Sequence, residues 1–315
     1  MKLEPNRSIG HHVITPRTKK QARKLSLEQS EKLAGLGFIL PVSILLLIFM
    51  FYPIIQAFII SFQEFNLVSA EKSFIGLKNY MNLLQDEAFI ASLKHSFHFA
   101  IVVVPVQGAI ALGLALLVQK KSKVNAVFRT LFFIPVVIST AVAATVFKLI
   151  YSKEYGLLNS ILETFHLPTV NFLSDTETAM NGVIILGIWK AAGFFMIIFL
   201  AGLNNIPIDL YEAARVDGAG KIRQFFFITL PLLKRTIAFV AIITTIDAIK
   251  LSALVYVLTG GGPSGSTETT VVFIFRTAFE KMNMGYASAA AFIFFFIVLI
   301  ISLIQMKLFK SDVEY

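Results

Sequence analysis

Six stretches of this chain are apolar for long enough to cross a lipid bilayer, and that narrows the possible folds more than any other feature. They are roughly Leu36–Phe62, Ser96–Val118, Val127–Tyr151, Met180–Leu203, Thr236–Leu258 and Gly285–Met306, each interrupted by at most one or two charges. A hydrocarbon core of about 30 Å takes about 20 residues of helix. Only 15% of the residues are charged and 56% are hydrophobic, too few charges to coat a soluble domain of this size. The predicted fold is an all-α integral membrane protein with six transmembrane helices. The first stretch follows a long polar tail and exceeds the core of a signal peptide, so it reads as an anchor that is kept.

Lysine and arginine set the expected orientation. With the N-terminus inside, the tail up to Lys32, the 120–129 loop, the 204–235 segment and the C-terminal tail share one side and hold nineteen basic residues. The opposite loops hold six basic residues against ten acidic ones. The positive-inside rule therefore predicts cytoplasmic termini. The formal net charge of +9 is explained by that topology, and nucleic acid is not an expected partner. No cysteine is present, which excludes disulfides, thiolate metal sites and a cysteine nucleophile.

The chain divides into a basic tail at 1–34, a transmembrane domain at 35–308 and a short tail at 309–315, with a helix expected towards Gln21–Lys32. A short helix is expected around Lys78–Leu84 in the 63–94 loop, and Gly260–Gly261–Gly262–Pro263 predicts a turn after the fifth stretch. The unusual passage lies between the fourth and fifth stretches, at 204–231. Pro207 suits a first helical turn. Asp209, Glu212 and Arg215 then recur at threes on one face, with Leu210, Ala213 and Ala214 on another. Gly218 permits a turn, a second helix spans Lys221 to Leu230, and Pro231 leads into the fifth stretch. Physical reasoning leaves two readings open, a surface connector lying on the membrane and a projecting element built to dock against a protein.

Glu212–Ala213–Ala214, three residues, Gly218, nine residues, then Ile228–x–Leu230–Pro231 resembles the EAA loop in membrane subunits of bacterial ATP-binding-cassette importers. Leu200–Ala201–Gly202–Leu203, Ile206–Pro207, Asp217–Gly218–Ala219, Leu258–Thr259–Gly260–Gly261–Gly262–Pro263 and Gly285–Tyr286–Ala287 are similar to phrases of the carbohydrate-uptake branch, the maltose, lactose and glycerol-phosphate permeases. So are Gly76–Leu77 and Asn79–Tyr80. The likeness runs from about residue 35 to the C-terminus, and the 63–94 loop is too short to hold the maltose permease's large extra domain. The resemblance implies a type I importer permease in a bacterial cytoplasmic membrane. Its implied partners are a second permease, two ATPase subunits that bind ATP and Mg²⁺, and an extracytoplasmic solute-binding protein. It further implies that Glu212 pairs with a basic residue of the ATPase, that Ala213 and Ala214 allow close approach, and that Gly218, beside Asp217, makes the bend.

Charges inside the apolar stretches are costly, about 2.5–3.5 kcal/mol each at a helix centre, and normally face partners or a water-filled cavity. Lys190, Asp247 and Lys250 are such charges, with Lys148 near the outer end of the third stretch. Either Asp247 forms an internal ion pair with Lys250 or Lys190, or these residues line a polar pathway. Trp189, Phe194 and Tyr256 are the aromatic candidates for stacking on sugar rings, or else pack between helices. Lys250 falls where the family has a lysine, but Ala253 replaces the usual aspartate of that phrase. Losing that carboxylate while keeping three lysines favours an acidic solute. Gly218–Ala219–Gly220–Lys221 is not a phosphate loop, because Arg215 stands where glycine is needed and Ile222 where a hydroxyl is needed. His95 and His98 lack a third ligand nearby, so a metal site is not expected. An ion-coupled carrier working through Asp247 would leave the EAA loop without a role. A membrane-embedded enzyme would need a catalytic cluster that the sequence does not offer.

Overall fold

The computed structural model describes residues 27–69 and 71–308. Most of the basic N-terminal tail and the whole of 309–315 lie outside the described residues, as does the first part of the helix expected at Gln21–Lys32. Two units are distinguished, Met1–Ile55 and Gln56–Tyr315. In the described part of the first, helix α1 (Leu27–Leu46) passes through a wide turn at Leu47–Phe51. Its large apolar side chains are exposed, Phe38 at 86%, as a lipid- or protein-facing helix requires.

The second unit opens with α2 (Tyr52–Ser61), much of which lies within it, and a short hairpin. Strand β1 (Gln63–Phe65) pairs antiparallel with β2 (Lys72–Phe74), Gln63 opposite Phe74. The sequence reading left this hairpin as loop. It is held from outside: Asn66 bridges Asn283, and the buried Asn79 side chain donates to the Ser61 and Gln63 carbonyls at 3.0 and 2.9 Å. Asn79 sits in α3 (Lys78–Leu83), the short helix expected there.

Helix α4 (Glu87–Val118) begins at Asp86, whose carboxylate accepts from the Ala88 and Phe89 amides at 2.9 and 3.2 Å. That side chain satisfies two of the four donors a helix start leaves open. Asp86 also accepts from the Tyr286 hydroxyl at 2.9 Å. Then come α5 (Lys123–Val137), α6 (Thr140–Ile150), α7 (Leu157–Thr164) and α8 (Ala179–Asn204). They are followed by α9 (Ile208–Val216), α10 (Lys221–Leu232), α11 (Lys234–Ile249) and α12 (Ala253–Leu258). The unit closes with α13 (Thr270–Phe275) and α14 (Met284–Leu308).

The main packing pair is α4 against α8. Ala111 and Ala115 of α4 are fully buried in one cluster with Phe195, Met196, Phe199 and Leu203 of α8. Small residues let two backbones approach, which matters where lipid replaces water and dispersion contact drives association. A second cluster joins Phe99 and Val103 to Leu186, Ile249 and Val255, and a third joins Leu83 and Phe89 to Phe273 and Ala290.

Among the described residues, four helices are long and apolar enough to span a membrane: Gly35–Ser61, Glu87–Val118, Ala179–Asn204 and Met284–Leu308. Two bent pairs also pass as possible spans, α5 with α6 at 97°, which covers the expected third stretch, and α10 with α11 at 66°, whose bend falls just before the expected fifth stretch, giving up to six among the described residues if each pair is one span. The third stretch was expected as one helix. Ile138 and Ser139 instead adopt extended backbone three residues after Pro135. The fifth stretch also stops early, α11 ending at Ile249 and α12 starting at Ala253. There the Thr269 hydroxyl donates to the Leu251 carbonyl at 2.7 Å, satisfying backbone freed by the break.

Candidate functional site

Two features stand out, a mostly apolar cavity that carries three charged side chains, and the hairpin formed by α9 and α10. The cavity, about 480 Å³, is lined by α4, α8, α11 and the two breaks. Lys190, Phe194, Asp247 and Lys250 are among the residues that line it. No ion pair within 4.0 Å joins Asp247 to Lys250 or Lys190, and Asp247 and Lys250 are both exposed. Lys190 has other partners. Its Nζ donates to the Ile138 carbonyl at 2.8 Å and lies 3.5 Å from the Val136 carbonyl, both at the break of the third span.

Trp189 and Tyr256 are not brought into the cavity. The Trp189 ring packs on Phe147 of α6 with centroids 5.0 Å apart, and its other side borders an apolar groove of α4, α5 and α8. One step along a helix turns a side chain by 100°, and here Trp189 is turned away from the cavity that Lys190 lines. Tyr256 packs edge-on to Phe275, with its hydroxyl 3.4 Å from the Glu280 carboxylate. Lys148 is exposed on α6 and does not line the cavity. His95 meets the Glu268 carbonyl at 3.1 Å through Nδ1.

Sequence reasoning missed two residues of this cavity. Gln107 and Thr244 are each 2% exposed, and Gln107 Nε2 and Thr244 Oγ1 have no hydrogen-bond partner among the described residues. Leaving such groups unmet costs about 1–3 kcal/mol each. The available signal was an amide alone in the apolar run of α4, two residues after Pro105.

The hairpin is built locally. Pro207 stands before α9 with extended backbone, Asp209 lies in the first turn and Arg215 in the last, the arrangement that suits the helix dipole. Gly218 closes the helix at φ +78°, a conformation that glycine adopts without a side-chain penalty. The Gly218 amide donates to Arg215 at 3.1 Å and the Ala219 amide to Ala214 at 2.8 Å. Tyr211 Oη and Thr229 Oγ1, 2.9 Å apart, tie α9 to α10. Glu212, Ala213, Asp217 and Gly218 are exposed and Ala214 is half-buried. Val216 at 89% and Ile222 at 77% flank the turn. An exposed carboxylate, two small residues and uncovered apolar side chains at a hydrogen-bonded turn form a surface of the kind that docks against a protein.

Residues 107–313 match the family described as binding-protein-dependent transport system inner membrane component. The chain is 40% identical over 282 residues to the probable ABC transporter permease YurN of Bacillus subtilis, covering 88% of this chain and 96% of that one. It is 34% identical to the trehalose/maltose transport system permease MalF of Thermococcus litoralis, covering 91% and 97%. It is 35% identical to the arabinooligosaccharides transport system permease AraP of Bacillus subtilis, covering 98% of each. Its fold is also that of a chain in a bacterial ABC transporter involved in the import of the acidic polysaccharide alginate, with a TM-score of 0.80 at 24% identity over 91% and 98%. With the hairpin and most of the cavity's lining inside the matched residues, this chain belongs to the binding-protein-dependent inner membrane components, the permeases of ABC transporters.

Proposed function

We propose that this chain is one of two permease subunits in an ATP-driven importer of a sugar or oligosaccharide. The observation that carries the reading is the uncovered α9–α10 hairpin, with Glu212 and Ala213 exposed before the Gly218 turn. Two ATPase subunits, which hold the ATP and Mg²⁺, seat this hairpin on the cytoplasmic side, Glu212 pairing with a basic residue there. ATP-driven closure of those subunits pushes on α9, and the push reaches α11 through α10. The cavity then opens outward to take solute from an extracytoplasmic binding protein, and hydrolysis returns it inward. Gln107 and Thr244 offer unpaired polar atoms to the hydroxyls of such a solute, and Phe194 an apolar ring face. This chain does no covalent chemistry.

The test is recovery of ATPase subunits with the tagged permease from detergent extracts. Glu212→Lys reverses the charge of a paired carboxylate, and recovery is expected to fall about tenfold or more. Undiminished recovery would overturn the coupling role. Asp247, exposed in the cavity without an ion-pair partner, favours one second reading, an ion-coupled carrier. Uptake by membrane vesicles that needs an ion gradient and no ATP would select it.

A further inference from the structure

The third span breaks at a place where neither half can satisfy its own backbone. An α-helix leaves its last four carbonyls without intrahelical partners, and these lie at the negative end of its dipole. Away from water, each unmet group costs several kcal/mol. α5 ends at Val137, and Ile138 and Ser139 are extended before α6 begins. The Lys190 ammonium reaches this point from α8, 52 residues on in sequence, and donates to the Ile138 carbonyl at 2.8 Å.

The neighbours of Lys190 on α8 grip the same joint. Trp189 packs on Phe147 of α6. Gly193, buried, lies so close to α5 that a Cβ there would strike the Phe132 carbonyl oxygen. One turn of α8 therefore touches the end of α5, the break and the body of α6. The break in the fifth span is handled in the same way, with the Leu251 carbonyl taken by Thr269 from another segment. A neutral hydroxyl serves there, whereas the end of α5 receives a full charge.

We propose that Lys190 is a positioning residue that caps the C-terminal end of α5, fixes the bend of the third span and so sets the shape of the cavity, and that it is not a charge held ready for solute. Of the three charges lining the cavity, only Asp247 and Lys250 remain for solute, and they cancel. The lysine-lined wall that favoured an acidic solute loses one member, and a neutral oligosaccharide fits the remaining balance. The inference about solute rests on the importer reading; the inference about the bend does not.

The chain has no cysteine, so spin labels at Val127→Cys on α5 and Leu149→Cys on α6, both exposed positions, report the bend by pulsed electron resonance in the full-length protein in lipid nanodiscs. Lys190→Arg, which keeps a charged donor, is expected to preserve the distance distribution. Lys190→Met, of similar length without a donor, is expected to broaden it or shift it by several ångströms. Lys190→Gln, a shorter neutral donor, should fall between and serves if the Met variant does not fold. An unchanged distribution in both neutral variants overturns the cap. A second arm measures uptake of maltotriose and of a guluronate trisaccharide by cells carrying the native or Met variant. A positioning role lowers the maximal rate with half-saturating concentrations within about twofold, whereas a direct solute contact raises that of the uronate by about tenfold or more and overturns the proposal. If neither probe enters native cells the solute inference fails, while the distance measurement still decides the cap.

Discussion

α4 and α8 run unbroken for 32 and 26 residues, whereas the third stretch divides into α5 and α6, bent by 97°, and the fifth is interrupted between α11, which ends at Ile249, and α12, which starts at Ala253. The unbroken pair meets along buried alanines and large apolar side chains, Ala111 and Ala115 against Met196 and Phe199. The broken pair brings its two breaks to the cavity, and side chains from distant segments donate to the carbonyls released there. Irregular backbone at membrane depth is tolerated where it lines a cavity or is buried in protein. The two regions therefore divide the work: one holds the molecule together and the other shapes the space inside it.

Three substitutions break or sharpen this contrast. Phe199→Ala removes a ring that is 2% exposed in the α4–α8 core, and a loss of about 3 kcal/mol is expected, the low end for such truncations because lipid already surrounds the bundle. Thermal unfolding in bicelles measures it, and a loss below about 1 kcal/mol would mean that this pair is not the anchor. Gly193→Leu forces a side chain into the Phe132 backbone, and about 1–3 kcal/mol is expected from overpacking. Its effect should also appear as a changed label distance across α5 and α6, which Phe199→Ala should leave alone. Gly218→Ala meets no atom within 4 Å but keeps φ +78°, so only about 1 kcal/mol is expected, confined to the hairpin. Hydrogen exchange should quicken about fivefold at the α9 amides and stay unchanged in α8. Faster exchange in α8 would show that the hairpin and core are not separable.

Much of this was legible in the residues. Long apolar runs gave the spans, and the spacing Glu212–Ala213–Ala214 to Gly218 gave the hairpin, whose two helices lie at Ile208–Val216 and Lys221–Leu232. The short helix at Lys78–Leu83 was visible too. The facing of Trp189 and Tyr256 was not, because a helix apolar on all sides carries no periodic signal to say which face is inside. The break at Ile138 was also hidden: Pro135 hints at a kink, but the group that stabilises the bend is Lys190, far along the chain. The hairpin at 63–74 likewise depends on Asn79 and Asn283, which no local window includes.

Asp86 ties together two ends of the chain 200 residues apart, since the carboxylate that starts α4 also receives the Tyr286 hydroxyl at the head of α14. A rocking motion that carried one of these helices and left the other behind would forfeit a charge-assisted bond worth about 1.5–3 kcal/mol. The least costly motion at that end swings both as a single lever, leaving the jointed third and fifth spans as the parts that flex.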